Sequence, residues 1–511
     1  MYTKSELAEA SLYEFFKQAW HVIEGDLELE ENWHLEAIAE HLEAVYYRKI
    51  KNLLINIPPR TAKTTLVSIV FPAWVWLHKP EEKFLFASCA NNLSLEIADK
   101  SRTLIESEWF KKRWGSIFQI RKDQSAKGYF SNNRTGYRIS TSVGSHVVGR
   151  GGSIQITDDP NPPGGESALS LKSTLNWWST KWFNRLNDIR KDARILVQQR
   201  SDENDISGFL KKNDINNEWT KLILPLEFES KNCTRTVSLD DSDTIWQDPR
   251  KKEGEILTSR ISAKELKQIK SVLGSYQYAS QYQQRPVPLN SGIIKKNWFK
   301  LYQSSKLPRF IYKIQSWDTA LTARDSSSYS ASTTWGVFLN NRDKERLMLL
   351  ATWRGKLEYP ELRRRIKKLS EDYRAVDDST LPREYKYTPD QVVIEAKASG
   401  NPLMQDLSRA GVTASAFNPS KYGDKMQRVK IITALIEGGL IYVPSQKHDT
   451  STIADFADEF IASISTFPSN ESYDFVDTMT QALIVLRNSG RISHPHDYDE
   501  PEDEQEIQRV Y

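Results

Sequence analysis

The chain has 511 residues, 39% apolar and 27% charged, with a formal net charge of +3. It is the composition of a globular, soluble chain too long for one hydrophobic core, so two domains and a linker are expected. The longest apolar run, 66–77, contains Pro72 and falls well short of the roughly 20 residues of a membrane span. The mixed-sign N-terminus lacks the apolar stretch of a secretion signal. Two scattered cysteines, Cys89 and Cys233, form neither a disulfide framework nor a thiolate metal site, which points to a reducing cytoplasm.

In chain order, short apolar runs at 53–57, 83–88, 153–157 and 193–199 predict strands, and 91–107 has helical periodicity. Strand and helix alternating in this way is the signature of a mostly parallel, doubly wound α/β sheet. The expected first domain is 1–225, with an N-terminal helical segment. From 226 to 262 the sequence turns polar, then becomes helical at 262–284 and ends in QQRPVPLNSG, so 226–305 reads as a linker or subdomain. Strands follow at 312–318, 332–338 and 346–354, then a helix at 358–373, a strand at 391–397 and helices at 401–410 and 425–438. A strand at 440–444 and helices near 452–463 and 475–487 complete the pattern. Three meandering strands followed by alternating helix and strand is the order of an RNase H-like domain with a mixed sheet, placed at 306–490. Residues 491–511 read as an acidic, mobile tail in which His494 and His496 are solvated. Cation clusters at 111–114, 295–300 and 363–368 fit solvated helix faces better than DNA contacts.

Residues 53–65 contain the parts of a phosphate loop: a strand, a turn through Pro59, Arg60, Thr61 and Ala62, then Lys63, Thr64 and a helix beginning with Thr65. The usual glycines are replaced by Ile57 and Ala62. Asp158 and Asp159 close the strand at 153–157, where folds of this type bind ligands. In that role Asp158, with the Thr64 hydroxyl, holds the Mg²⁺ of ATP, and Asp159 orients or deprotonates the attacking water. The competing reading of this pair is a turn before Pro160. Arg150, in a glycine-rich loop, is compatible with an arginine finger acting on a neighbouring subunit or with an ordinary loop cation. Gln198, Gln199 and Arg200 end the next strand, placed to sense the γ-phosphate.

A second acidic set occupies the other half. Asp318 ends the first strand, Glu395 the fourth, and Asp474 opens the last helix, with Asp477 one turn later. Such a set could converge on two divalent ions, Mg²⁺ or Mn²⁺, and cut a phosphodiester. Asp474 is the preferred third metal ligand and Asp477 the other candidate.

With these residues assembled, the chain resembles the large terminase subunit of tailed bacteriophages over about residues 15–488. The resemblance rests on NIPPRTAKTT, VVGRGGSIQITDDP, ILVQQRSDENDISG, SWDTA, IEAKASG, PSKYGDKMQRV and FPSNESYDFVDTMTQAL. It implies an ASCE-type ATPase joined to an RNase H-like nuclease, packaging double-stranded DNA in the host cytoplasm with no membrane role. It also implies a ring, a pentamer, docked on the portal protein of a procapsid, and a small terminase partner. By position the family roles fall on Lys63, Thr64, Asp158 and Asp159 for ATP, on Arg150 as finger, and on Asp318, Glu395 and Asp474 for nuclease metals. The other functional classes are a helicase-like or repair ATPase fused to a nuclease and a regulatory binding module in which one or both sites are degenerate.

Overall fold

The computed structural model describes residues 3–494 apart from 127, 146–148, 162–166, 238, 240–244, 287–291, 304–306, 321–328, 373–387, 397–399, 447–448 and 469–472. Two compact units are present. The first comprises residues up to 265 together with 277–287; the second comprises 266–276 and the chain from 288 onward. His496 and the acidic tail from residue 495 onward lie outside the described residues, as do part of the loop before Arg150 and part of the proline-bearing linker.

The first unit is built on β1 (Asn52–Asn56), β2 (Lys83–Ser88), β3 (Ile120–Ala126), β4 (Tyr129–Asn132), β5 (Tyr137–Ser142), β6 (Ile154–Asp158), β7 (Ala193–Gln198) and β8 (Trp219–Ile223). They form one sheet in the order β3-β4-β5-β2-β6-β7-β1-β8. The six strands from β5 to β8 run parallel, and β4 alone is reversed, antiparallel to both β3 and β5. β6 and β7 are buried along their whole length; β7 holds the apolar core Ile195, Leu196 and Val197, while in β6 Ile154 and Ile156 alternate with buried Gln155 and Thr157. β3, β4, β5 and β8 escape such a reading because Tyr, Arg, Ser, Thr and Lys fill them, and pairing with neighbours rather than an apolar run makes them strands. Helices Lys4–Ala10, Leu12–Glu24 and Trp33–Tyr46 precede the sheet, capped by Thr3, Ser11 and Asn32.

β7 lies between β1 and β6, with Asn56 paired to Gln198 and Asp158 to Val197. Three strand ends are therefore level, and the chain leaving each of them meets at the carboxyl edge of the sheet.

The second unit contains β9 (Lys300–Tyr302), β10 (Phe310–Asp318), β11 (Ser330–Leu339), β12 (Glu345–Gly355), β13 (Gln391–Glu395), β14 (Ala414–Phe417) and β15 (Ile441–Pro444). Their order is β14-β13-β10-β11-β12-β15-β9. β10, β11 and β12 form an antiparallel meander, while β13 joins β10 and β14 joins β13 in parallel. This is the mixed sheet of an RNase H-like fold. Side chains alternate along β10. Trp317 packs with Trp353, Leu362, Ile366, Leu403 and Leu407 on one face, and Asp318 is turned to the other. There the helix Asp474–Asn488 lies across the strand, Gln481 donating to the Trp317 carbonyl at 3.4 Å.

His494 departs from expectation. It is buried, and its Nε2 donates to the Ala434 carbonyl at 3.0 Å. Ile492 is buried beside it in sequence, so the chain stays packed to this point.

Candidate functional site

At the carboxyl edge of the first sheet, β1 ends and the chain turns through Pro58–Ala62 into a helix that opens at Lys63 and Thr64. Arg60 and Ala62 have positive φ, +63° and +56°, while Thr61 between them does not. Alternation of this kind folds backbone N–H groups into an anion-binding nest. The helix then passes through a wide π-type turn, Thr65–Val70, a feature frequent at functional sites, before continuing as Phe71–His78.

Ala62 holds a left-handed conformation that costs an L-residue roughly 1–2 kcal/mol. The departure from the usual glycine is thus a strained backbone as well as an added Cβ. Ala62→Gly is expected to keep or raise stability, by up to about 1 kcal/mol after the entropy of a more flexible unfolded chain is counted. Thermal unfolding checks this: a loss resembling that of an ordinary alanine-to-glycine change would show that the turn carries no strain.

Lys63 and Asp159 form an ion pair of 2.8 Å, with Lys63 buried. Asp158 accepts hydrogen bonds from the Thr64 hydroxyl at 3.3 Å and the Ser68 hydroxyl at 2.6 Å. Burial, then repulsion from Asp159, pushes the Asp158 carboxyl up to about 6, against the pull of Lys63. Asp159, at φ +41°, also accepts from the Gln199 backbone N–H at 3.1 Å. Lys63, Thr64, Asp158, Asp159 and Gln199 therefore form one connected set. Arg200 belongs to a neighbouring one: its Nε meets both Asp205 oxygens, at 3.0 and 2.8 Å, and its Nη2 donates to the Asp202 carbonyl.

Two members of the acidic site were not foreseen. Ser68 stands one turn beyond Thr64, a spacing that could have revealed it. Arg138, in β5, is fully buried; its Nη1 donates to the Ser68 carbonyl at 2.5 Å and its guanidinium lies over the Phe86 ring. Burial brings its pKa down to about 9, and the charge of Asp158 opposes that fall. No local pattern marks it, since the fold alone brings β5 beside β2.

Arg150 precedes β6, whereas Asp158 ends it. Five residues of strand, about 16 Å, separate the two ends. Arg150 is exposed, its guanidinium 5.9 Å from the Tyr129 ring.

Below the loop, His34 Nε2 donates to the Thr61 carbonyl at 3.3 Å. His41 donates from Nδ1 to the Ala37 carbonyl and accepts from Thr236 at Nε2. Burial depresses both imidazoles to about 4, so both are neutral in the fold. A depressed histidine pKa means the unfolded chain binds more protons between about 4 and 6.5. Stability of the first unit is therefore expected to be full above 6.5 and to fall by about 1–3 kcal/mol per histidine as pH drops through that window. Chemical denaturation of wild type and His41→Gln across pH 4–7 measures it, and an unchanged slope in the variant would remove His41 from the account.

In the second unit, Trp317 pairs with Ile394, so Asp318 and Glu395, one step on, end adjacent parallel strands. Both are buried. Asp477 is buried on the helix above, its two oxygens 2.6 Å from Lys425 Nζ and 2.7 Å from Arg428 Nη2. Burial pushes its carboxyl up and Lys425 opposes this, while the charge of Asp318 adds to the rise. Asp474 instead meets Arg354 Nε at 2.9 Å. Arg354 lies two strands from Asp318 through the register Asp318–Ala331–Arg354. Asp477 is thus the candidate that feels the charge of Asp318, while Asp474, the preferred third ligand, is paired with Arg354. Among the described residues no three His, Cys, Asp or Glu side chains are gathered to hold a metal. Arg354 pairs with Asp474, and Lys425 and Arg428 pair with Asp477. Asp318 and Glu395, both buried at adjacent strand ends, are oxygen donors of the type that Mg²⁺ and Mn²⁺ prefer.

Among the described residues no helix is long and apolar enough to cross a membrane. No curated protein matches the chain. Among solved structures, the large terminase of the thermophilic bacteriophage D6E is 11% identical, with a TM-score of 0.42 over 92% of this chain and 99% of that one. The magnesium-bound large terminase nuclease of thermophilic phage G20c is 13% identical, with a TM-score of 0.25 over 38% of this chain and 96% of that one. The family described as "Terminase RNaseH-like domain" matches residues 315–486, the stretch that holds Asp318, Glu395, Asp474 and Asp477. Residues 315–486 therefore belong to the terminase RNaseH-like domain family.

Proposed function

We propose that the chain is an ATP-driven motor that moves double-stranded DNA into a procapsid and cuts concatemeric DNA by metal-dependent endonuclease action. The observation that carries this reading is the connected set Lys63–Asp159 and Thr64–Asp158 at a parallel sheet edge, in the same chain as a terminase RNaseH-like domain. Lys63 and the turn at 59–62 bind the phosphates. Thr64 and Asp158 would hold Mg²⁺, which neutralises phosphate charge, and Asp159 positions the attacking water and accepts its proton. Gln199, bonded to Asp159, relays the state of that carboxylate to β7, and Arg200 fixes the chain that follows.

In the second unit Asp318, Glu395 and Asp477 are the residues proposed to hold two divalent ions, with Asp474 beside them. Arg150, separated from its own Asp158 by the length of β6, acts on a neighbouring subunit of a pentameric ring. That ring docks on the portal protein, receives DNA chosen by a small terminase subunit, and works in the host cytoplasm. Subunits carrying Arg150→Ala and Lys63→Ala, each inactive alone, are expected to regain ATPase activity when mixed; absence of rescue would remove the action in trans.

The whole reading is tested by incubating the purified chain with its procapsids, linear duplex and ATP. The expected result is nuclease-protected DNA that depends on ATP, with no strand separation on a forked duplex. Strand separation without protection would replace it with the helicase-like or repair ATPase.

A further inference from the structure

The outer edge of the first unit's sheet carries a recess of about 490 Å³ that involves no residue of the loop at 57–65. Six cations line it: Lys211 and Lys212 from the helix Ile206–Asn213, Lys221 from β8, and Arg200, Arg235 and Arg285 from the connecting chain. Two acids, Glu203 and Glu229, are in the lining.

Pairing leaves this recess short of negative charge. Lys212 meets Glu203 at 3.0 Å, Arg285 meets Glu229 at 3.1 Å, Arg200 meets Asp205 at 2.8 Å and Lys221 meets Asp214 at 2.5 Å. Among the described residues the Lys211 ammonium and the Arg235 guanidinium have neither an ion pair nor a hydrogen bond. Lys211 is exposed as a residue, yet desolvation by the surrounding protein, then repulsion by Arg200, brings its pKa down to about 8, with the charge of Asp205 opposing the fall. An ordinary basic surface lets each cation turn into water. Here cations from separate segments are held around one concavity, so an anion entering it relieves their mutual repulsion. Arginine at the rim supplies the forked donors that match phosphate oxygens.

We infer that this recess is a phosphate-binding site separate from the phosphate loop, taking a phosphoryl group of either a free polyphosphate or a nucleic-acid backbone. The inference stands whether or not the proposed ATPase is active.

The test is calorimetric titration of inorganic pyrophosphate into the full-length Lys63→Ala chain at low salt, which removes the loop's main cation. One saturable site is expected to remain. Adding Lys211→Ala and Arg235→Ala should weaken it by at least about tenfold, since each charged hydrogen bond lost is worth about that factor. Lys211→Arg should keep it, which separates lost charge from lost folding. Absence of saturable binding in the Lys63→Ala chain, or undiminished binding after both alanine changes, would overturn the inference. A short duplex added as competitor distinguishes the sources: displacement of pyrophosphate supports backbone phosphate, and persistence supports a free polyphosphate.

Discussion

Lys63→Ala is expected to abolish ATP hydrolysis, a loss of at least about 10³-fold, the scale of removing one well-placed charge-stabilising group. The change acts twice. It takes from the phosphate loop the cation proposed to face the phosphates, and it leaves Asp158 and Asp159 without the charge that offsets their repulsion. Asp158 already sits near 6 through burial and Asp159. Without Lys63 it rises further, and a carboxyl that is partly protonated at neutral pH holds a divalent ion poorly. Lys63→Arg should not restore activity, because a planar fork does not fit a buried site shaped for a compact ammonium. Steady-state phosphate release with and without Mg²⁺ measures the effect, and metal-dependent nicking of plasmid by the same full-length variant should persist. Hydrolysis within tenfold of wild type would sink the phosphate-loop assignment. Loss of nicking as well would mean that the substitution disturbs the whole chain.

How much of this was legible in the sequence depends on where each signal lives. Strands with buried aliphatic residues, such as Ile154 and Ile156 in β6 and Ile195, Leu196 and Val197 in β7, announce themselves, and the expected positions 153–157 and 193–199 are within a residue of the observed ones. The helix Lys425–Glu437 was equally plain, with Asp424 capping it and Gly438 following. β3, β4, β5 and β8 were not, because their residues become strand only through partners supplied by the fold. The phosphate loop and acid pair were readable because their chemistry is local: a lysine and a hydroxyl in sequence, and two carboxylates at a strand end. Arg138 was not, since its place near Asp158 depends on β5 lying beside β2. The second acidic set falls between these cases. Strand ends identify Asp318 and Glu395, but the choice between Asp474 and Asp477, which share a helix face, turns on which turn of that helix lies over β10. One turn of helix separates the two, and the sequence offers Arg354 to one and Lys425 with Arg428 to the other without saying so.

That difference makes the second large prediction. Asp318→Asn should abolish metal-dependent plasmid nicking, by about 10³-fold or more, because a buried carboxylate at the proposed ion site cannot be replaced by a neutral amide. Asp477→Asn should match it in activity and also lower stability, since it strands Arg428, buried beside it, without its counter-charge. Breaking a buried pair from one side costs about 3–5 kcal/mol. The Asp474–Arg354 pair is more open, with side chains 21% and 33% exposed, so Asp474→Asn should cost no more than about 1 kcal/mol and leave most of the nicking. Nicking and thermal unfolding measured together on the three variants separate loss of a ligand from loss of fold. Lys425 sharpens the comparison, because its ammonium is 2.6 Å from Asp477 and neutralises the carboxylate that an ion would otherwise use. Lys425→Met should therefore lower the Mg²⁺ or Mn²⁺ concentration needed for half-maximal nicking if Asp477 is a ligand. Were Asp474→Asn to abolish nicking with an unchanged melting curve while Asp477→Asn still cut, the third ligand would be Asp474, and the contact between Asp477 and Lys425 would be structural alone.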